Sequence, residues 1–314
     1  MRRERKLPDA DPGRPDRPKV EGDRRRAWRR PVINLDHATF EGNPAMPKVA
    51  ALMIQKDEVD LLEPWILYHG DLFGYDNLYI WDNGSADPRI ADLIEKWSDR
   101  GVRFFDGARR PERYRDKGRL LGDQIGNLER FAYYDFFLPL DCDEFIALKA
   151  IDGVIETRRE KILAAFDALD PDADLFAVDY NHPNSLGVRN RFFGWEFNKK
   201  FVRNNAFVSM DHGGHTIVTK SAKPATPSPF AYIHFYYRPF AHMRENSRAK
   251  LILQPEILEL PEAALRQNRL GRYLVMDEAE YLAEFVAMEA KVRAYQAPDL
   301  EAFFHRFGRK LPFC

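Results

Sequence analysis

Cysteine is scarce in this sequence: only Cys142 and Cys314 occur among 314 residues. Neither has the closely spaced partners of a structural zinc site, and two cysteines do not make the framework of a disulfide-stabilised secreted domain. No stretch approaches the roughly 18 consecutive apolar residues of a membrane span, and the arginine-rich start lacks the apolar core of a signal peptide. We therefore expect a cytoplasmic protein.

An excess of charge of one sign is also missing. The 48 basic and 49 acidic residues give a formal net charge of -1. Proteins that bind nucleic acid through their overall field are basic, so we expect no nucleic-acid partner. A hydrophobic fraction of 45% and a charged fraction of 31% are typical of a globular protein.

Basic residues do cluster at the amino terminus, between prolines and with few apolar side chains. Such a segment cannot offset its ordering entropy by burial, so residues 1–46 are predicted to form a disordered tail. Two interpretations of the tail stay open. Interspersed acidic residues favour a solvated tail without a specific partner. Weak contact with an anionic membrane surface, worth about 1 kcal/mol per basic residue, would instead make the protein peripheral at the inner membrane surface.

From residue 47 onward, strand-like and helix-like patterns alternate. Short apolar runs of strand length, such as Val49–Ile54, Asn77–Trp81 and Asp135–Leu140, are separated by segments with helical spacing. This alternation predicts βαβ units and an α/β fold with a doubly wound, mostly parallel sheet flanked by helices. We assign residues 47–250 to this domain and residues 251–314 to a C-terminal helical extension packed on it.

The C-terminal extension carries an apolar stripe at a four-three helical spacing: Tyr281, Phe285, Met288, Val292 and Tyr295. The stripe is too short for a sustained coiled coil, so we interpret it as a docking face against the core rather than a dimer seam. The burial of these side chains tests that interpretation.

Two aspartates, Asp141 and Asp143, follow a predicted strand at the point where the hydrophobic pattern stops. Side chains two residues apart in a strand share a face, so both carboxylates are predicted to lie together at the carboxyl end of a buried strand, where open α/β sheets bind ligands. Paired carboxylates there suit Mg²⁺ or Mn²⁺, whose other positions are filled by water and phosphates. An isolated D-x-D triplet more often only ends a strand or caps the next helix.

Two further polar clusters follow the first and second predicted strands, Lys56–Glu58 and Asp82–Asp87. Right-handed crossovers would bring both to the same edge of the sheet as the aspartates. This predicted convergence makes the D-x-D triplet a candidate for a ligand site.

In this order and spacing the motifs resemble family 2-type glycosyltransferases. The similarity is to the branch with an NE…W…H helix, a DNGSxD turn and a DxDEF motif, and it rests on Lys56–Glu58, Leu61–Trp65, Tyr79–Asp87 and Asp141–Phe145. The resemblance implies a GT-A fold and a hexosyltransferase-type enzyme. Such an enzyme transfers a sugar from a nucleotide-diphospho-sugar to an acceptor hydroxyl with the help of Mn²⁺ or Mg²⁺.

The resemblance also implies roles for individual residues. The nucleotide-sugar pocket would be lined by Lys56, Glu58, Asp82, Asn83, Gln124 and Asp141. Asp82 would accept hydrogen bonds from the nucleoside, Asp141 would lie near the ribose and the metal, and Asp143 would coordinate the metal most directly. Asp57 stands where the family more often has Asn, which puts the contact at that position in question.

His234 lies in an aromatic strand, near the point where the family often has a His-Tyr pair. Its neutral imidazole would complete the metal site with Asp141 and Asp143, or contact a phosphate. A buried histidine bonded to a backbone carbonyl is an equally weighted alternative. Arg238 and Lys250 would supply positive charge to a diphosphate.

The transfer itself requires two further features. Negative charge develops on the departing phosphate, where a divalent ion stabilises it. The acceptor hydroxyl must lose a proton, in an inverting reaction to a carboxylate. The candidate bases in the second half are Asp179, Glu196 and Asp211, each of which is individually more often structural.

Two other functions compete with this one. The same fold can serve as a catalytically silent module that binds a nucleotide sugar or a glycan. A nucleotidyltransferase also uses paired carboxylates and a metal, but it would carry a glycine-rich basic loop where this chain has Gln55–Glu58. The acceptor, whether a glycan, a lipid-linked group or another hydroxyl, is not encoded in these motifs.

Overall fold

The computed structural model describes residues 46–106, 116–252 and 254–313. These residues belong to one compact unit, Ala45–Cys314. The predicted tail, residues 1–46, and its membrane contact lie outside the described part of the chain except for Met46. In the part that is described, no helix is both long enough and apolar enough to cross a membrane.

Within the described residues, a ten-stranded sheet and a two-stranded sheet are built from twelve strands. The strands are β1 (Val49–Gln55), β2 (Leu78–Asp82), β3 (Arg103–Phe105), β4 (Phe136–Leu140), β5 (Glu144–Ile151), β6 (Val154–Glu156), β7 (Leu175–Pro183), β8 (Trp195–Arg203), β9 (Phe207–Met210), β10 (Ile217–Thr219), β11 (Thr226–Pro227) and β12 (Phe230–His234). The strands β9 and β10 form the small antiparallel sheet.

The helices fall between the early strands and at the end of the chain. They are α1 (Leu62–Phe73), α2 (Pro88–Ser98), α3 (Lys117–Phe131), α4 (Arg159–Asp167), α5 (Phe240–Leu251), α6 (Pro255–Leu258), α7 (Glu262–Gln267), α8 (Arg272–Val275), α9 (Glu278–Glu289) and α10 (Pro298–Arg306). A 3-10 helix, Tyr75–Asn77, joins α1 to β2. Asp87 caps α2 by accepting a hydrogen bond from the backbone of Arg89, and Pro88 occupies the first turn, as its fixed φ favours.

The large sheet has the order β3-β2-β1-β4-β8-β7-β12-β5-β6, with β11 beside β7. The first four strands are parallel to one another. The strand β8 runs antiparallel to both β4 and β7, β12 is parallel to β7, and β5 is antiparallel to β12. The predicted α/β fold, with its mostly parallel sheet flanked by helices, is confirmed.

Helices cover both faces of this sheet. Alternate residues of β1 enter two different apolar clusters: Val49, Ala51 and Met53 pack with α1, whereas Ala50, Leu52 and Ile54 pack with α3. We call these the α1-side core and the α3-side core. A strand that is buried on both faces shows a continuous apolar run, and this is why β1 was recognisable in the sequence.

The C-terminal helices are also anchored by apolar side chains. Phe303 and Phe304 of α10 belong to the α1-side core, and Tyr281 and Phe285 of α9 pack with Tyr237 in a third cluster. The predicted stripe therefore is a docking face. Its last two members lie beyond α9, which ends at Glu289, but they also pack inward. Val292 contacts the third cluster, and Tyr295, whose backbone pairs with that of Phe192, contacts the α1-side core.

Two strands are longer than the sequence pattern indicated. The composition of His182–Gly187, with its Pro, Asn and Gly, favours a loop, but β7 continues to Pro183, and β8 begins at Trp195, directly after Gly194. Pairing with β12 on one side and β8 on the other extends β7. Tertiary pairing here outweighs the turn preference of Asn and Pro.

Candidate functional site

The predicted polar clusters meet at the carboxyl edge of the parallel strands. The register pairs Gln55 with Asp82 and Met53 with Leu140, so β1, β2 and β4 end close together. The strand β12 runs in the same direction and ends at His234, whose partner in register is Glu144. The chain thus brings the ends of β1, β2, β4 and β12 to one edge.

Asp141 and Asp143 lie in a turn after β4 and not in the strand itself. The backbone N–H of Glu144 donates to the carbonyl of Asp141 at 3.1 Å, and β5 begins at Glu144. Strand alternation therefore does not govern the two aspartates, contrary to the expectation from their spacing. The two carboxylates have different partners.

Asp141 is bridged by two lysines. Its Oδ1 accepts a hydrogen bond from Lys117 and its Oδ2 one from Lys199 at 2.6 Å. Lys199 also donates to Glu144 at 2.5 Å, and these two side chains are only 2% and 1% exposed. The surrounding protein raises the pKa of Asp141 by displacing water, but Lys117 and then Lys199 lower it more, so the pKa lies well below its ordinary value.

Neither lysine was recognised in the sequence. Lys117 opens α3 and Lys199 lies in the middle of β8, and no local motif surrounds either of them. An isolated lysine is usually solvated, so only a mid-strand position on a buried face offered a signal for Lys199.

Asp143 faces an imidazole and a guanidinium. Its Oδ2 lies 3.5 Å from His234 Nε2 and 3.7 Å from an Arg238 nitrogen. Burial raises the pKa of Asp143, but His234 and Arg238 lower it by more, so the net pKa lies below the ordinary value. For His234, burial lowers the pKa and Asp143 raises it, with a net shift upward.

Arg238 connects the turn to the end of β1. Its guanidinium lies 2.8 Å from Glu58, and its side chain is only 5% exposed. Burial raises the pKa of Glu58 more than Arg238 lowers it. Lys250, which is exposed on α5, also contributes positive charge near Glu58.

The cluster after β2 is ordered by hydrogen bonds to β1. Asp82 Oδ1 accepts from Gln55 Nε2 at 2.7 Å and from the Ser85 hydroxyl at 2.5 Å. Asn83 is buried, and its side-chain oxygen has no hydrogen-bond partner among the described residues. Lys56 is exposed beside them.

Asp57 holds the same turn from the other side. Its Oδ1 accepts hydrogen bonds from the backbone N–H groups of Ala86 at 2.7 Å and Asp87 at 3.0 Å. Its φ of 54° lies in the left-handed region that Asp and Asn tolerate better than most residues. A carboxylate oxygen accepts these bonds as an amide oxygen would, so the departure from Asn preserves the turn.

The candidate bases are more scattered. Asp179 pairs with Lys149 at 2.6 Å, and Asp211 accepts a backbone hydrogen bond from His215 in the turn after β9. Glu196 is exposed on β8, where alternation places it on the face opposite Phe197, whose ring contacts His234. Gln124 is half-buried on α3, two turns from Lys117.

The residues at this edge fit a divalent ion that is coordinated partly by protein side chains and partly by phosphates. Among the residues that the structure describes, no group of three or more His, Cys, Asp and Glu side chains is arranged for a metal. Mg²⁺ and Mn²⁺ need only one or two protein ligands where phosphates and water supply the rest. A metal on His234 Nε2 requires an acceptor for the Nδ1 proton. Asn181 lies 3.2 Å from Nδ1, and its unpartnered buried oxygen can reach Nδ1 by rotation of the amide.

Comparisons with known proteins give only distant matches. No protein-family model and no curated protein matches the chain. Among solved structures, mannosyltransferase PcManGT from Pyrobaculum calidifontis, in complex with GDP-Man and Mn²⁺, aligns at 11% identity and a TM-score of 0.36 over 84% of this chain and 80% of that chain.

Two structures of S. aureus TarS are similar at the same level. TarS 1-349 aligns at 14% identity and a TM-score of 0.32 over 78% of this chain and 75% of that chain. Its complex with UDP aligns at 13% identity and a TM-score of 0.32 over 77% and 71%. Because these scores and identities are low, we base the function on the geometry of the site.

Proposed function

We propose that this protein is a glycosyltransferase that moves a sugar from a nucleotide-diphospho-sugar to an acceptor hydroxyl, with inversion at the anomeric carbon. The observation that carries the proposal is the meeting of the Asp141–Asp143 turn, His234 and the Gln55–Asp82 cluster at one sheet edge. Ligands of open α/β sheets bind outside the carboxyl ends of the strands. The sequence motifs favour family 2-type chemistry and inversion.

The nucleoside end of the donor is assigned to the cluster between β1 and β2. Asp82 and the orphaned oxygen of Asn83 offer acceptors for hydroxyl or N–H donors of a nucleoside. Lys56 and Glu58 are assigned to the same end of the donor, and Glu58 is held by Arg238. Gln124 on α3 is assigned to the donor sugar.

The diphosphate end is assigned to Asp143 and His234, which would hold Mn²⁺ or Mg²⁺. When bound, the ion supplies Lewis-acid stabilisation of the phosphate charge. Both oxygens of Asp141 accept hydrogen bonds from lysines, so we assign Asp141 to anchoring the turn beside the ribose and not to direct coordination of the ion. Arg238 adds positive charge behind Asp143.

In the reaction, the bond from the anomeric carbon to the donor phosphate oxygen breaks and its electron pair stays on the phosphate. The acceptor oxygen forms the new bond from the opposite face, and its proton passes to a carboxylate. Asp179, Glu196 and Asp211 stay candidates for this base. All three are exposed, and therefore accessible to an acceptor.

A donor panel tests the proposal. Purified protein incubated with UDP- and GDP-sugars and Mn²⁺ should release nucleoside diphosphate. Asp143→Asn should weaken Mn²⁺-dependent donor binding by at least about 100-fold, since even residues that support a metal ligand cost 10- to 100-fold when replaced.

The matched control is Asp172→Asn, which changes an exposed carboxylate away from the site. It should leave release and binding unchanged. Tight donor binding without any release would instead support the silent binding module. Equal binding by Asp143→Asn and the unsubstituted protein would refute the metal assignment.

A further inference from the structure

Three arginines recur at every third position in the C-terminal helical extension, and two of them are neutralised. Arg266 lies 3.1 Å from Glu262 and 3.2 Å from Glu280. Arg272 lies 3.0 Å from Glu284. Arg269 is exposed, and among the described residues it forms no ion pair with a carboxylate.

Arg269 faces the candidate donor site. Its Cζ lies 5.8 Å from the ring centroid of Tyr236, in a cation–π contact. The Tyr236 ring in turn contacts the ring of His234, with centroids 5.4 Å apart. The Tyr236 ring therefore links the Arg269 guanidinium to His234 of the candidate site.

The loop that carries Arg269 is fixed by its own hydrogen bonds. Asn268 Oδ1 accepts from the backbone of Leu270 at 3.0 Å and of Gly271 at 2.8 Å. A Cβ at Gly271 would lie 2.7 Å from the side chain of Leu265, so the loop packs closely against α7. Ordering the loop in advance reduces the entropy that a ligand must offset.

We propose that Arg269 binds the diphosphate of the donor, so that the C-terminal extension forms one wall of the active site. The inference rests on the proposed glycosyltransferase function. A guanidinium matches the paired oxygens of a phosphate better than any other side chain does. Arg238 is buried and paired with Glu58, whereas Arg269 is exposed and has no ion-pair partner among the described residues.

Nucleotide titrations distinguish a contact with the diphosphate from a loss of nucleotide binding as a whole. UDP, GDP, UMP and GMP are titrated into the full chain with Mn²⁺, and dissociation constants are measured by calorimetry. Arg269→Ala and Arg269→Gln should weaken the better-bound diphosphate by about tenfold or more, the cost of losing a hydrogen bond to a charged group. The dissociation constant of the monophosphate of the same nucleoside should change by less than about twofold.

Arg266→Ala is the matched control, because it removes an arginine of the same segment that is already paired. It should leave all four affinities unchanged. Arg269→Gln retains most of the side-chain length and so controls for loss of packing against Tyr236, and the thermal midpoint of each variant reports folding.

The outcomes distinguish the two proposals. Unchanged diphosphate binding in both Arg269 variants, or an equal loss for mono- and diphosphates, overturns the role of Arg269 and leaves the glycosyltransferase assignment intact. Failure of the unsubstituted protein to bind either diphosphate overturns both.

Discussion

At the scale of single residues, the site depends on a buried group of alternating charges. Lys199 lies between Asp141 and Glu144, and Glu144 also accepts the backbone N–H of Asp141 at 2.8 Å. Removing one member of a buried ion pair leaves an uncompensated charge, which costs about 3–5 kcal/mol. The order of the D-x-D turn therefore depends on a lysine from a distant strand.

Lys199→Met should accordingly lower the free energy of unfolding by about 3–5 kcal/mol, measured by urea denaturation. The added change Glu144→Gln should recover part of this loss, because it removes a buried negative charge and keeps an acceptor for the Asp141 N–H. A single variant as stable as the unsubstituted protein, or a double variant less stable than the single one, would contradict this account of the turn.

Single residues also show where sequence reasoning reached its limit. The identity of Asp141 and Asp143 and their place after a strand were predictable, because the strand is a continuous apolar run with a sharp end. Their separation into two environments was not, because it depends on Lys117 and Lys199, which are distant in the sequence.

At the scale of elements, the position of α3 depends on close approach to β9 and the turn that follows it. A Cβ at Gly118 would lie 2.5 Å from the carbonyl oxygen of Met210 and would also contact that of Asp211, whereas a Cβ at Gly126 would meet nothing within 4 Å. Both glycines belong to α3. The first permits the contact that places Lys117 beside Asp141.

Gly118→Ala should therefore destabilise the protein, because an overpacked side chain typically costs about 1–3 kcal/mol. Gly126→Ala is the matched control in the same helix and should stabilise by about 0.5–1 kcal/mol, the difference in helix propensity. Urea denaturation of both variants measures the two effects. Equal changes of the free energy of unfolding in the two variants, in the same direction, would show that the contact at Gly118 does not constrain α3.

Elements with strong periodicity were predicted well, and elements defined by pairing were not. The strands β1, β2 and β4 appeared at their positions because they are short apolar runs between polar clusters. The strands β7 and β8 extend into segments rich in Asn, Gly and Pro, where only neighbouring strands keep the chain extended.

At the scale of the whole molecule, the C-terminal extension is part of the sheet's own core. Phe304 of α10 is fully buried in the α1-side core, where its ring centroid lies 6.3 Å from that of Phe145 in β5. Trp65 and Trp97 are buried in the same core and report on its integrity. Loss of α10 packing should therefore destabilise the whole sheet.

Phe304→Ala should lower the free energy of unfolding by about 3–5 kcal/mol, in one transition seen equally by tryptophan fluorescence and circular dichroism. Phe307→Ala is the control, since that side chain is 45% exposed, and its effect should stay within about 0.5 kcal/mol. A separate early transition for the C-terminal helices would indicate that they unfold independently of the sheet.

The sequence by itself determined the α/β alternation, the polar clusters at the strand ends and the position of the D-x-D motif, because hydrophobic periodicity and its interruptions are local properties. The tertiary structure alone decided which charges meet there. Lys117, Lys199 and Arg269 come from α3, β8 and the loop between α7 and α8, and nothing in their own segments marks them. Electrostatic contacts act through space, so pairings between remote segments become visible only once the chain is folded.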